Sequence, residues 1–200
     1  MATKTNSVVP LALVGFVPTI SVLFTLGYND DDFTSQIFFF TCKIWLLLAP
    51  AYWYLSVEKN SPSWSFPTRD GIVVGGISGI IMSIIIIVIW ILFGDTLETG
   101  SMISNLESTG LTDFRVYLAG IIYWIFLNSL LEEYVFRWFV TIKSIELLGS
   151  EARAIILSAI LFTLHHAIAL HYFGFVWWQI AMACFGLLSA SAIWSWLYVR

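Results

Sequence analysis

Charged residues are scarce in this chain. They make up 11% of its 200 residues, where a soluble domain carries about a quarter. Basic residues are scarcer still: nine Lys and Arg stand against thirteen Asp and Glu, for a net charge of −4. No basic stripe is present to track phosphates, which excludes nucleic acid as a partner. Cysteine is limited to Cys42 and Cys184. Both fall in apolar segments, which reads as buried thiols rather than a disulfide framework or a metal cluster. No CxxC, HExxH or Gly-rich phosphate loop occurs, and neither a sequon nor an internal repeat is found. Only Lys4 precedes the first apolar run, and no small-residue cleavage site follows it. That run therefore reads as a retained anchor rather than a signal peptide.

Apolar residues are abundant, at 59%, with ten Trp, eight Tyr and sixteen Phe. Six segments reach or approach the roughly 20 residues that a membrane-spanning helix needs. They run from Val8 to Leu26, Ile37 to Leu55, Gly71 to Phe93, Val116 to Val140, Ala152 to Leu170 and Phe173 to Leu197. The expected fold is all-α, a multi-pass transmembrane bundle of about six helices, with residues 1–200 forming a single membrane domain. If the helices alternate in direction, Lys4, Lys59, Arg69, Lys143, Arg153 and Arg200 share one side. Asp30, Asp31, Asp32, Asp95, Glu98, Glu107 and Asp113 share the other, with only Arg115 among them. The positive-inside rule then puts the N-terminus in the cytoplasm, with the cell membrane as the expected location. Lys43 sits several residues inside the second segment. It reads either as a lysine reaching for the headgroups or as a counter-ion for a buried carboxylate.

The fourth segment carries Glu132, Glu133 and Arg137, and the fifth carries Phe162, His165 and His166. Ionised groups in a membrane helix cost at least a few kcal/mol each, and by default they mark a functional site. Gly149-Ser150 is a helix stop followed by a helix start, with Glu151 in the new first turn. Glu132 lies about 17 residues before that turn and His166 about 17 after it. At 1.5 Å per residue both sit roughly 25 Å from the turn, so an antiparallel hairpin brings them to one height. Glu133 and Arg137 are four apart and can pair. Glu132 is rotated by about 100° from Glu133, so one carboxylate can be neutralised while the other faces a cavity. Phe162 and His166 share a face, which places a phenyl wall beside the imidazole.

These residue types suit general-base hydrolysis. Glu132, helped by His166, would deprotonate a water that attacks a peptide carbonyl. Asn128, one turn before Glu132, is a candidate donor to the oxyanion. A second chemistry is a metal site in which Glu132, Glu133 and His166 hold zinc with an open position for water. The missing paired-histidine helix signature argues against it, and no cofactor is expected. His165 reads as a packing residue and His171 as a solvated one. A proton relay in a transporter is a further reading, but the two halves show no inverted repeat.

EExxxR at Glu132–Arg137 followed by FxxxH at Phe162–His166 resembles the CPBP family of intramembrane proteases, which includes the CAAX prenyl endopeptidases and the Abi-type bacteriocin-processing or immunity proteins. The resemblance extends over roughly Val116–Arg200, the expected core region, where Ala183–Leu188 and the ending Leu197-Tyr-Val-Arg200 are similar to the segment that follows in the family. It implies a bundle of about eight helices with a cavity open to the cytoplasm. It also implies a catalytic Glu132 and His166, with Glu133 and Arg137 in support. The implied substrate is a prenylated or other membrane-associated peptide or protein. Two departures stand out. Trp138 replaces a common glycine, and the final motif, a histidine followed four residues later by Asn or Asp, is absent. The expectation is that the last family helices are missing from this chain. The alternative is then a catalytically incomplete member acting as a membrane scaffold, immunity or regulatory protein.

Overall fold

The structure is a computed structural model that describes residues 5–27, 32–62, 66, 68–97, 100, 103, 107 and 111–200. Six helices in it are long and apolar enough to cross a membrane, and the protein is an integral membrane protein. They are α1 (Ser7–Gly27), α2 (Phe33–Val57), α3 (Arg69–Thr96), α4 (Phe114–Leu148), α5 (Glu151–Tyr172) and α6 (Trp177–Tyr198). Each overlaps one of the six segments expected from the sequence. The described residues form no strand, in keeping with the all-α expectation. Lys4, Asp30, Asp31 and Glu98, which entered the charge reading, lie outside the described residues.

Two helices depart from simple rods. The first consists of two pieces, Thr5–Gly15 and Val17–Gly27. Pro18 has no N–H to give the carbonyl of Val14, so the ladder breaks at Phe16. Trp45 of α2 donates its indole N–H to the Leu13 carbonyl at 2.8 Å beside the break. The fourth helix starts where Asp113 accepts from the backbone of Arg115 and Val116, as an N-cap aspartate does. It then runs unbroken to Leu148, past the edge of its apolar segment. It is wound in π register over Tyr123–Asn128 and again over Glu133–Val140. Hydroxyls stand at both points where the π register ends: Ser129 bonds the Trp124 carbonyl and Thr141 the Phe136 carbonyl, each five residues back.

Gly149 ends α4 in the left-handed region, with φ of 63°, where a side chain is strained. Ser150 takes the N-cap position of α5 with extended backbone, but its hydroxyl makes no capping hydrogen bond. Arg153 instead donates to the Leu148 carbonyl across the turn. The hairpin forms where the sequence placed it.

The core lies among α1, α2, α4 and α5. Leu11, Val14, Leu46, Val135, Phe136, Phe139, Val140, Leu161 and Phe162 form one buried cluster. Gly15 makes close approach possible, because a Cβ there would stand 3.1 Å from Leu161 of α5. Lipid tails are as apolar as leucine, so burial alone does not drive membrane helices together; close packing and polar contacts do. A cluster of polar contacts sits at the end of the bundle that holds the Gly149 turn. There Lys143 (5% exposed) pairs with Glu58 of α2 and with Glu146, while Ser7 of α1 donates to Glu146 at 2.9 Å. Trp53 and Asn60 also donate to Glu58. By contrast, α3 buries no side chain. At its far end it meets α6, where Gln179 donates to the Thr96 carbonyl and the rings of Phe93 and Trp178 lie 6.0 Å apart.

Candidate active site

The hairpin delivers the register that the sequence implied. Glu132 of α4 and His165 and His166 of α5 each offer one ligand atom, and these atoms lie within 4.8 Å of one another. They line a cavity of about 260 Å³ whose wall is completed by α1 and α2. One water occupies about 30 Å³ in the liquid, so the space admits several waters.

Within this cavity Glu132 is held from one side. Asn128, one turn earlier, donates its amide to Oε1 of Glu132 at 2.8 Å. Lys43 of α2 in turn donates to Oδ1 of Asn128, while its ammonium stands 5.2 Å from the Phe39 ring centre. Asn128 therefore bridges a cation and the carboxylate. The sequence reading of Asn128 as an oxyanion donor did not anticipate this pairing. Of the two readings of Lys43, the headgroup-reaching one does not match its place. The lysine lies along the cavity wall, joined to the carboxylate through one amide.

Glu133 points elsewhere. Its carboxylate is 48% exposed and lies 3.4 Å from Nε of Arg137. The arginine is buried at 1%, since α4 turns this side toward α5 and α6. Its guanidinium lies 4.7 Å from the Phe162 ring centre and 5.6 Å from that of Trp194, and it donates to Ser191 at 3.1 Å. Such cation–π contacts strengthen when desolvated. Arg137 thus fastens three helices together behind the cavity. Phe162 fills the space between this guanidinium and the imidazoles, its ring 4.7 Å from that of His166.

The two histidines have different surroundings. His165 is buried, stacked on Phe136 at 5.7 Å with an interplanar angle of 13°. His166 is partly buried, and its Nδ1 lies 2.9 Å from the Phe162 carbonyl. A carbonyl only accepts, so this contact puts a proton on Nδ1, and in the neutral imidazole Nε2 then carries the lone pair. His165, read from sequence as a packing residue, also has a ring nitrogen within 4.8 Å of a Glu132 carboxylate oxygen. The adjacent His-His pair was the available signal. On a helix, neighbours differ by about 100°, but a cavity between several helices accepts side chains from two directions.

A metal would find donors of the right chemistry here. Glu132, His165 and His166 supply one oxygen and two nitrogens, as in open catalytic zinc sites. This is not the set anticipated from sequence, because Glu133 is engaged with Arg137 and His165 takes its place. Trp138, the departure from the common glycine, lies against Tyr54 and Tyr134, with ring centres 5.2 and 4.9 Å away, so an aromatic seam joins α2 to α4 there. His171 is exposed at the end of α5. Both cysteines are free thiols, Cys42 buried and Cys184 partly so.

Residues 114–200 match the family described as type II CAAX prenyl endopeptidase, Rce1-like. This is the family suggested by EExxxR and FxxxH, and the match contains both motifs. Neither a curated protein nor a solved structure matches the chain.

Proposed function

We propose, from the match of residues 114–200 to the CAAX prenyl endopeptidase family, that the protein is an intramembrane endopeptidase in which Glu132 activates water. The observation that carries this reading is the convergence of the Glu132 carboxylate and two imidazoles at one point of a cavity between membrane helices.

The chemistry follows from what each group can accept. Asn128 occupies Oε1 of Glu132, so Oε2 is the oxygen available to a water. Proton transfer from that water to Oε2 accompanies attack of its oxygen on the peptide carbonyl carbon. Nε2 of His166 has a lone pair and accepts a second hydrogen bond from the same water, which fixes its direction. When the tetrahedral intermediate collapses, the C–N bond breaks and the proton held by Glu132 goes to the leaving amine. General-base assistance of this kind contributes about 10²–10⁴-fold. Arg137 supports the site by tying α4 to α5 and α6, and Glu133 pairs with it.

The substrate of this reading is a membrane-associated peptide or protein, cleaved beside a prenylated residue, and lipid is the solvent for its anchor. The turn end of the bundle faces the cytoplasm, which the positive charge of its loops supports. The test uses the purified chain in liposomes with a farnesylated peptide ending in a CAAX sequence. Glu132→Gln should abolish cleavage, by at least about 100-fold, with the melting temperature in detergent unchanged. Cleavage that survives this change would sink the reading. A scaffold protein would instead keep its biological effect in the Glu132→Gln form and show no cleavage in either form.

A further inference from the structure

The family match begins at residue 114, yet one polar group in the cavity wall comes from far outside it. Lys43 lies inside α2, ten or so residues from Phe33 and rather more from Val57. A cation in mid-span costs at least a few kcal/mol unless it is partnered. Its partner is the amide oxygen of Asn128, and this contact has a directional consequence. An ammonium only donates, so the Asn128 oxygen must face Lys43. The amide NH2 is thereby forced toward Oε1 of Glu132. With the amide reversed, an oxygen would face the carboxylate and repel it.

We propose that Lys43 is a positioning residue for Glu132: it locks the Asn128 amide, which commits one carboxylate oxygen and leaves the other for water. The proposal rests on the protease reading above. It extends the working site to a helix beyond the matched stretch and gives α2 a part in the reaction.

The test is a double-mutant cycle on the intact chain in liposomes, with the same farnesylated peptide. Lys43→Met removes the ammonium and keeps an apolar stem suited to the bilayer. Asn128→Ala removes the bridge. Each should lower kcat by between about 10- and 100-fold, the loss typical of slight misplacement of a reacting group, with KM within twofold. The double variant should be no worse than Asn128→Ala alone, because residues acting through one contact are not additive. Lys43→Arg, which restores a donor to Asn128, should recover most of the loss. Wild-type kcat in Lys43→Met, or losses that multiply in the double variant, would overturn the proposal and leave the protease reading intact. So would a Lys43→Met protein that melts far below wild type but cleaves normally per folded molecule. Loss of the reading itself has a different signature, full activity in Glu132→Gln, and the proposal falls with it.

Discussion

Among the described residues, lysine meets glutamate at two places, and the two meetings are built differently. At the turn end, Lys143 touches both Glu58 and Glu146, and Ser7, Trp53 and Asn60 add donors to the same carboxylates. Nearly every valence there is spent on another part of the protein. Along the cavity, Lys43 is joined to Glu132 through Asn128, and Glu132 lines the open space with Asn128 bonded to one of its oxygens. A saturated cluster holds helices together and has nothing left for a substrate. An unsaturated one contributes less to stability and keeps a group free to react. The same residue types therefore divide into a clasp and a reactive centre according to how many partners surround them.

Neutralising one glutamate from each cluster tests that division most severely. Glu132→Gln should remove cleavage by at least about 100-fold, while Glu146→Gln should leave turnover per folded molecule within twofold in the liposome assay. Equal losses in both would erase the distinction. Next in size is the stability contrast. Lys143→Met leaves two part-buried carboxylates without their cation and should cost about 2 kcal/mol, between the values for an exposed and a buried pair. Lys43→Met should cost under about 1 kcal/mol, because removing a mid-span charge held by one amide offsets the lost bond. Reversible unfolding in mixed micelles compares the two. Smaller again, Ser7→Ala should cost about 1 kcal/mol through the lost bond to Glu146. Smallest is Arg200→Ala. Arg200 meets Glu151 at 3.7 Å with both side chains more than half exposed, and such a pair contributes at most about 0.5 kcal/mol. A larger change there would mean that exposure is a poor guide to saturation in this protein.

Much of this was legible before any coordinates. The six spans follow from apolar length, and the height of Glu132 against His166 follows from counting outward from Gly149. That count works because a tight turn ties the two helices at a known point. Lys43 has no such reference: α3 and two connections separate α2 from α4, so no residue count sets their relative height. Its partner could come only from coordinates. His165 packs on Phe136 as its reading implied, but its place on the cavity wall was not legible, because side-chain direction on one helix does not reveal how neighbouring helices enclose it. The break at Phe16 was readable from Pro18. The π winding of α4 was not, since its signature is two hydroxyls that bond carbonyls five residues back, and apolar periodicity carries no trace of them.

The Gly149 hairpin also works as a ruler. Its two arms meet the cavity only because they are equally long, about 17 residues each. One residue added to either arm moves everything beyond it by about 1.5 Å and turns it through about 100°. That would send Glu132 into a neighbouring helix or the two histidines into lipid. Between Glu132 and His166, then, exchanging one residue for another is a graded change, whereas altering the residue count is all or nothing. A single inserted or deleted codon in this stretch should silence the protein more surely than most substitutions within it. A compensating insertion and deletion within the same arm, which cancels both shift and rotation, is the route by which function could return.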